Sequence, residues 1–167
     1  MAVKVRKSRE EDLPEILKIF SSAIKYMRLN GNFSQWSDTY PGATHILQDI
    51  SQGVSYVGVN ESGNIVMTFA FILGDDPTYK EIRDGEWLND SPYGTIHRIA
   101  SNGEERGMLK TACEYCFNFT DNIRIDTHED NIPMQKALKD LDFIFCGEIS
   151  CRDGSPRLAF QKENKQK

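Results

Sequence analysis

Three stretches hold most of the residues whose types and spacing could do chemistry. The first runs from Ser101 to Cys116 and reads SNGEERGMLKTACEYC. It begins as a polar, Gly-containing turn and ends as a helical pattern. A turn that opens a helix leaves unpaired N–H groups and a positive dipole end, the physics of an anion or phosphate cradle. Small residues there let the backbone come close to the ligand. The same pattern also reads as a plain polar turn before a core helix.

The second stretch is GTIHRIA, which carries His97. An imidazole titrates near neutrality and suits proton transfer. A lone His in a strand is also a common structural residue, and both readings stay open. The third, THEDN, carries His128. Adjacent residues of an extended strand alternate faces, so HED is a poor metal set. Cys113 and Cys116 form a C-x-x-C, with Cys146 and Cys151 further on. A zinc site needs a knuckle turn around the first pair. Here the pair lies inside a helical apolar pattern, which favours reduced core cysteines. No metal is expected.

The elements that must position these residues follow from periodicity. Val3 to Lys7 alternates as a strand. Ser8 to Glu11 reads as a capping box opening a helix along Leu13, Ile16, Leu17, Phe20, Ala23, Ile24 and Met27. Asn30-Gly31 ends it. A loop with Trp36 and Tyr40 leads to a second helix, with Ile46, Leu47 and Ile50 on one face and Gly53 beyond its end. SYVGV and NIVMTFAFIL form a hairpin across NESG, and the second strand is apolar enough to be buried on both faces. A polar segment from Gly74 to Tyr93, with Tyr79 and Trp87, is long for a structureless loop. GTIHRIA, a helix from Leu109 to Phe117, the strand NIRIDT and a helix capped by Asn131 follow, with Pro133 in its first turn. FIFCGEI and RLAFQ close the chain around Asp153-Gly154. The order β-α-α-β-β-β-α-β-α-β-β predicts an α/β fold, a mixed sheet with helices on both faces. A parallel pair is expected between Thr95 and Leu141, where ligands favour the crossing. One domain spans 1–162, and 163–167 is a frayed tail.

Composition narrows the function. The 167 residues suit a single domain. A net charge of −5 without a basic block argues against nucleic acid as partner. No apolar run reaches membrane-spanning length, and the N-terminus has no secretory h-region. A cytoplasmic location with no membrane partner is the expectation.

Read in this order, VKVRKSREEDLPEILKIF, TIHRIAS, EERGML and NIPMQKALKDLDF resemble the GNAT superfamily of N-acetyltransferases. The whole is also similar to a bacterial branch of that superfamily with HRIAS and THEDN segments. The resemblance covers nearly the whole chain. It implies acetyl-CoA as co-substrate and direct attack of a primary amine, from a small molecule or a peptide, on the thioester. It also implies cofactor contacts from Ile99, Ala100 and Ser101 on the strand, then Glu105, Arg106, Gly107, Met108, Leu109 and Lys110 in the turn, and Asn131 on the pantetheine arm. The family's pattern has Gln or Arg where Glu104 stands and Gly or Ala where Leu109 stands. A carboxylate beside a pyrophosphate is unfavourable and a Leu Cβ holds it off, while Arg106 and Lys110 offset some charge. The family's acid Tyr falls on Leu138, so no general acid comes from there. His97 is the expected base. Arg98 is expected on the opposite face from His97, paired with Asp126 or Glu129. Trp36, Tyr40, Tyr79, Trp87 and His128 are expected around the acceptor, the loop aromatics serving equally well as lids over the core. The alternative is a GNAT-fold module without catalysis that binds a small ligand or a protein partner. A homodimer through the last strands is possible.

Overall fold

The computed structural model describes residues 2–37 and 39–165. Its seven strands are β1 (Lys4–Lys7), β2 (Ser55–Val59), β3 (Ile65–Leu73), β4 (Gly94–Ser101), β5 (Asn122–Thr127), β6 (Ile144–Ser150) and β7 (Pro156–Glu163). The helices are α1 (Leu13–Leu29), α2 (Ala43–Ser51), α3 (Met108–Cys116) and α4 (Ile132–Asp140). The strands form one sheet in the order β1-β2-β3-β4-β5-β7-β6. Only β4 and β5 run parallel, as expected for the β-α-β crossover through α3.

One face packs against α3 and α4. Tyr56, Phe69, Phe71, Ile96, Ile123, Ile125 and Phe160 meet Ala112, Cys113, Cys116 and Leu138 there. The other face is divided. Its β1–β4 half is covered by α1 and α2, through Ile16, Ile19, Phe20, Ile24 and Ile46. Its far half is covered by the segment 74–93, whose Tyr79 and Tyr93 pack on Ile149 and Ala159. That segment has structure of its own. It holds a short 3-10 turn at Pro77–Tyr79, and Arg83 exchanges two backbone hydrogen bonds with Glu148 of β6, 2.8 and 2.9 Å. Arg83 thus takes up part of the free edge of β6, one of the last strands named above for a dimer contact.

Three local expectations are corrected. The reciprocal cap at the first helix is one residue later than Ser8 and Glu11. Asp12 accepts from the Arg9 N–H at 2.7 Å, while Ser8 Oγ is taken by Ser55 Oγ at 2.8 Å. Asp12 also pairs with Arg6 at 2.8 Å, a tertiary bond that fixes the register. Leu47 is exposed, and Asp49 takes the buried place beside Ile46 on α2. The last strand runs one residue past the expected 162. Glu163 ends β7, the Asn164 N–H donates to the Asp121 carbonyl at 2.8 Å, and Gln166 and Lys167 lie outside the described residues.

Candidate active site

The site begins with an irregularity in β4. Ala70 of β3 pairs with His97, and Thr68 pairs with Ala100. Two steps on β3 therefore face three on β4, so β4 carries a bulge. Arg98 sits in it with φ of 50°, in the left-handed region. Such a backbone costs a non-glycine residue about 1–3 kcal/mol and persists only when its surroundings hold it. Arg98 is held by Asp49 of α2: Nε and Nη2 donate to Oδ2 at 3.1 and 2.8 Å. A third bond reaches the Tyr40 hydroxyl at 3.4 Å.

The bulge overturns two expectations. Strict alternation placed His97 and Arg98 on opposite faces. In the fold, Ile96 and Ile99 both lean toward the α3 core although three apart, and His97 and Arg98 both lie on the opposite face, His97 against the segment 74–93 and Arg98 against α2. The partner of Arg98 is Asp49, neither Asp126 nor Glu129. An extra residue shifts the alternation by one, and periodicity alone does not register it.

The bulge also parts two strands. β4 and β5 share register only at Gly94 with Ile123 and Thr95 with Arg124. Beyond Thr95 they separate, and the backbone of β4 from Ile96 onward faces a gap. Ala100 is buried against the α1 core, and Ser101 pairs with Met67.

His97 stands at the start of this gap. Its Nε2 lies 2.8 Å from Asp76 Oδ2, with side-chain exposures of 23% and 16%. Asp76 comes from the segment 74–93. Burial pushes its carboxyl up, but the hydrogen bonds from His97 and Thr78 outweigh this and hold it at about 2. The Tyr79 ring lies 6.3 Å from the His97 ring, and its hydroxyl donates to Asp126 Oδ2 on β5 at 2.6 Å. Burial, then the Asp126 charge, push that hydroxyl well above its ordinary value. His97, Asp76, Tyr79, Asp126, Arg98 and Tyr40 thus gather on one face where β4 and β5 part.

The turn 102–107 closes the other end. Glu104 donates its N–H to Asn102 Oδ1 at 3.0 Å and is exposed. Gly107, with φ of 72°, precedes the first turn of α3. The first intrahelical bond onto its carbonyl comes from the Thr111 N–H. The N–H groups of Met108, Leu109 and Lys110 therefore have no partner within the helix. A Cβ at Gly103 or Gly107 would meet nothing within 4 Å, so the space outside this turn is open. Leu109 is half-buried against the core, while Arg106 and Lys110 are exposed at the turn and Glu105 is half-buried. A pyrophosphate fits these groups: open backbone donors, a dipole end and two cations.

The remaining expected residues scatter. Asn131 caps α4 by accepting from the Met134 N–H at 3.2 Å, and its Nδ2 donates to Gln35 in the α1–α2 loop at 3.0 Å. His128 lies just past β5, and its Nδ1 accepts from the Asp130 N–H at 3.0 Å. Trp36 stacks edge-on against Phe20 in the α1 core. Trp87 lies over the Arg124 guanidinium, 4.1 Å from its ring centre, with Tyr93 on the same cation at 3.9 Å. Leu138 is fully buried. Asp76 and Asp49 were missed. The Asp76-Pro77 pair is a turn-initiating signal, but nothing local links it to His97.

The comparisons bear on this geometry. No protein-family model matches the chain, and none of the curated proteins does. Among solved structures, a GNAT-family acetyltransferase from Streptococcus agalactiae is 30% identical, over 98% of this chain and 96% of that one, with a TM-score of 0.87. This chain belongs to the GNAT family of acetyltransferases. A GNAT-family acetyltransferase from Listeria monocytogenes shares the fold at 21% identity, over 96% and 94% of the two chains, with a TM-score of 0.69. So does a GNAT phosphinothricin acetyltransferase from Sinorhizobium meliloti, solved in complex with AcCoA, at 13% identity over 98% and 89%, with a TM-score of 0.64. The parted β4 and β5 and the open α3 turn are thus features of a GNAT-family chain. Among the described residues no helix is long and apolar enough to cross a membrane, and no His, Cys, Asp and Glu group could hold a metal.

Proposed function

We propose that this chain transfers an acetyl group from acetyl-CoA directly to the primary amine of a small molecule or peptide. One observation carries the reading. The gap between β4 and β5 opens beside a His97 whose Nε2 is already hydrogen-bonded. If Nε2 carries its proton toward Asp76, the lone pair sits on Nδ1. Nδ1 has no protein partner among the described residues and can take a proton from an incoming ammonium.

The β4 backbone at Ile99 and Ala100 would hold the thioester end, and a strand N–H would polarise its carbonyl. The turn from Glu105 to Lys110 would hold the pyrophosphate, and Asn131 the pantetheine arm. The ammonium gives one proton to His97, and the neutral amine attacks the carbonyl carbon. The C–S bond breaks as the amide forms, and the thiolate takes the second amine proton through water. Water is the carrier because Leu138 offers no hydroxyl. Tyr40, beside Arg98, would shape the acceptor's approach; Tyr79, expected around the acceptor, is buried under the segment 74–93 with its hydroxyl on Asp126, and Trp36 and Trp87 serve as packing and a clamp.

The test is calorimetry with acetyl-CoA, followed by thiol release across a panel of primary amines. Saturable binding by the native chain and amine-dependent thiol release are expected. A chain that neither binds acetyl-CoA nor releases thiol with any amine overturns the reading.

A further inference from the structure

We infer that Asp76 is a positioning residue that selects the His97 tautomer, making the segment 74–93 part of the catalytic device. This rests on the reading of His97 as the base. The argument is that every polar atom of Asp76 is committed. Its N–H donates to the Tyr93 hydroxyl at 2.8 Å. Its carbonyl accepts from the Tyr79 N–H at 3.0 Å. Its Oδ1 accepts from both the N–H and the Oγ1 of Thr78, at 2.8 and 2.6 Å. Only Oδ2 remains, and it meets His97 Nε2 at 2.8 Å.

A carboxylate can only accept, so Nε2 must carry a proton, and in the neutral imidazole the lone pair is then on Nδ1. The groups around the imidazole do not compete for this role. Tyr79 presents its ring, and its hydroxyl is turned away to Asp126. Arg98 is bound to Asp49. The Tyr93 hydroxyl is bound to the Asp76 backbone. The tautomer is therefore set by one carboxylate oxygen, whose direction Thr78 fixes.

This predicts an unusual ranking of variants. In Asp76→Asn the two donors of Thr78 still require an acceptor, so the amide oxygen stays at the Oδ1 place. The amide NH2 then faces His97, Nε2 must accept, and the proton moves to Nδ1. The base is disabled although size and fold are kept. In Asp76→Ala the imidazole can take either tautomer. Asp76→Asn should therefore lower kcat on the order of 10²–10⁴-fold, the range of a lost general base, and Asp76→Ala by a smaller factor, because a mixed tautomer population keeps part of the base. Acetyl-CoA affinity should be unchanged in both. A merely structural Asp76 gives the reverse order, with Ala worse than Asn and losses that follow melting temperature.

The experiment is 15N NMR of the labelled His97 imidazole, with melting temperature and kcat, in the native chain, Asp76→Asn and Asp76→Ala. The expected result is an Nε2–H tautomer in the native chain and an Nδ1–H tautomer in Asp76→Asn. An unchanged tautomer in Asp76→Asn, or an Nδ1–H native chain, overturns the inference. The NMR readout does not need turnover. A native chain that switches tautomer on substitution yet acetylates no amine would sink the proposed function and leave the positioning role of Asp76 standing.

Discussion

Replacing Asp49 tests whether the β4 bulge is held from α2. Arg98 and Asp49 have side-chain exposures of only 19% and 12%. Burial is the largest single influence and works against the Arg98 charge, but the Asp49 carboxylate and the Tyr40 hydroxyl together outweigh it and raise the guanidinium above its ordinary value. Breaking a buried pair by removing one partner costs about 3–5 kcal/mol. The remaining exposure favours the lower end, so Asp49→Ala should cost about 3 kcal/mol. Asp49→Asn keeps an acceptor worth about 1 kcal/mol, leaving a loss of about 2. For a domain of this size each kcal/mol moves Tm by about 2–4 °C. Thermal unfolding should then fall by about 6–12 °C for Ala and about 4–8 °C for Asn. A double variant separates the pair from the bulge. Arg98→Gly accepts a positive φ without strain and removes the stranded cation, so adding it to Asp49→Ala should recover stability by about 1–3 kcal/mol. Additive losses, or an Asp49→Ala protein melting with the native chain, would refute the claim that this ion pair holds the bulge.

Two further outcomes follow from the buried titrating groups. Asp76, held at about 2 in the fold against an ordinary 3.8, binds fewer protons folded than unfolded between those values. Its stabilisation of about 2 kcal/mol is therefore present above pH ~4 and lost as pH falls toward 2. Urea unfolding of native and Asp76→Asn protein should converge across that window, and curves that stay parallel would count against it. Burial pushes the Cys113 thiol to about 12 and also raises Cys116 and Cys146, while Cys151 is half-exposed. A thiol reagent at neutral pH should label Cys151 first and the other three only on unfolding; rapid labelling of Cys113 would show that α3 opens.

The elements were legible because apolar periodicity reports burial, and burial decides where strands and helices lie. The parallel β4–β5 pair follows from element order alone. What periodicity missed shares one cause. Arg98 was assigned the wrong face because a single bulged residue resets the alternation. Asp12 displaced the expected cap because Arg6 recruits it from β1. Tyr79 and Trp87 read as loop aromatics because their partners, Asp126 and Arg124, lie far along the chain. Each depends on how strands and segments register in the fold, and none is written in the local apolar pattern.

The segment 74–93 shows what such pairings achieve together. Arg124 is buried on β5 with neutral acceptors, Gln161 and the Asn89 carbonyl, and its charge is met by the faces of Trp87 and Tyr93. Cation–π contact of a desolvated guanidinium is worth about 2 kcal/mol or more, so this clamp anchors the segment to the sheet. Tyr93 then holds the Asp76 backbone, and Asp76 holds His97. An unbroken run of contacts therefore leads from β5 through the segment and back to β4, across the gap where the two strands part. The segment does more than shield that half of the sheet. It bridges the gap that opens where the β4–β5 ladder ends at Thr95, and it holds His97 beside that gap.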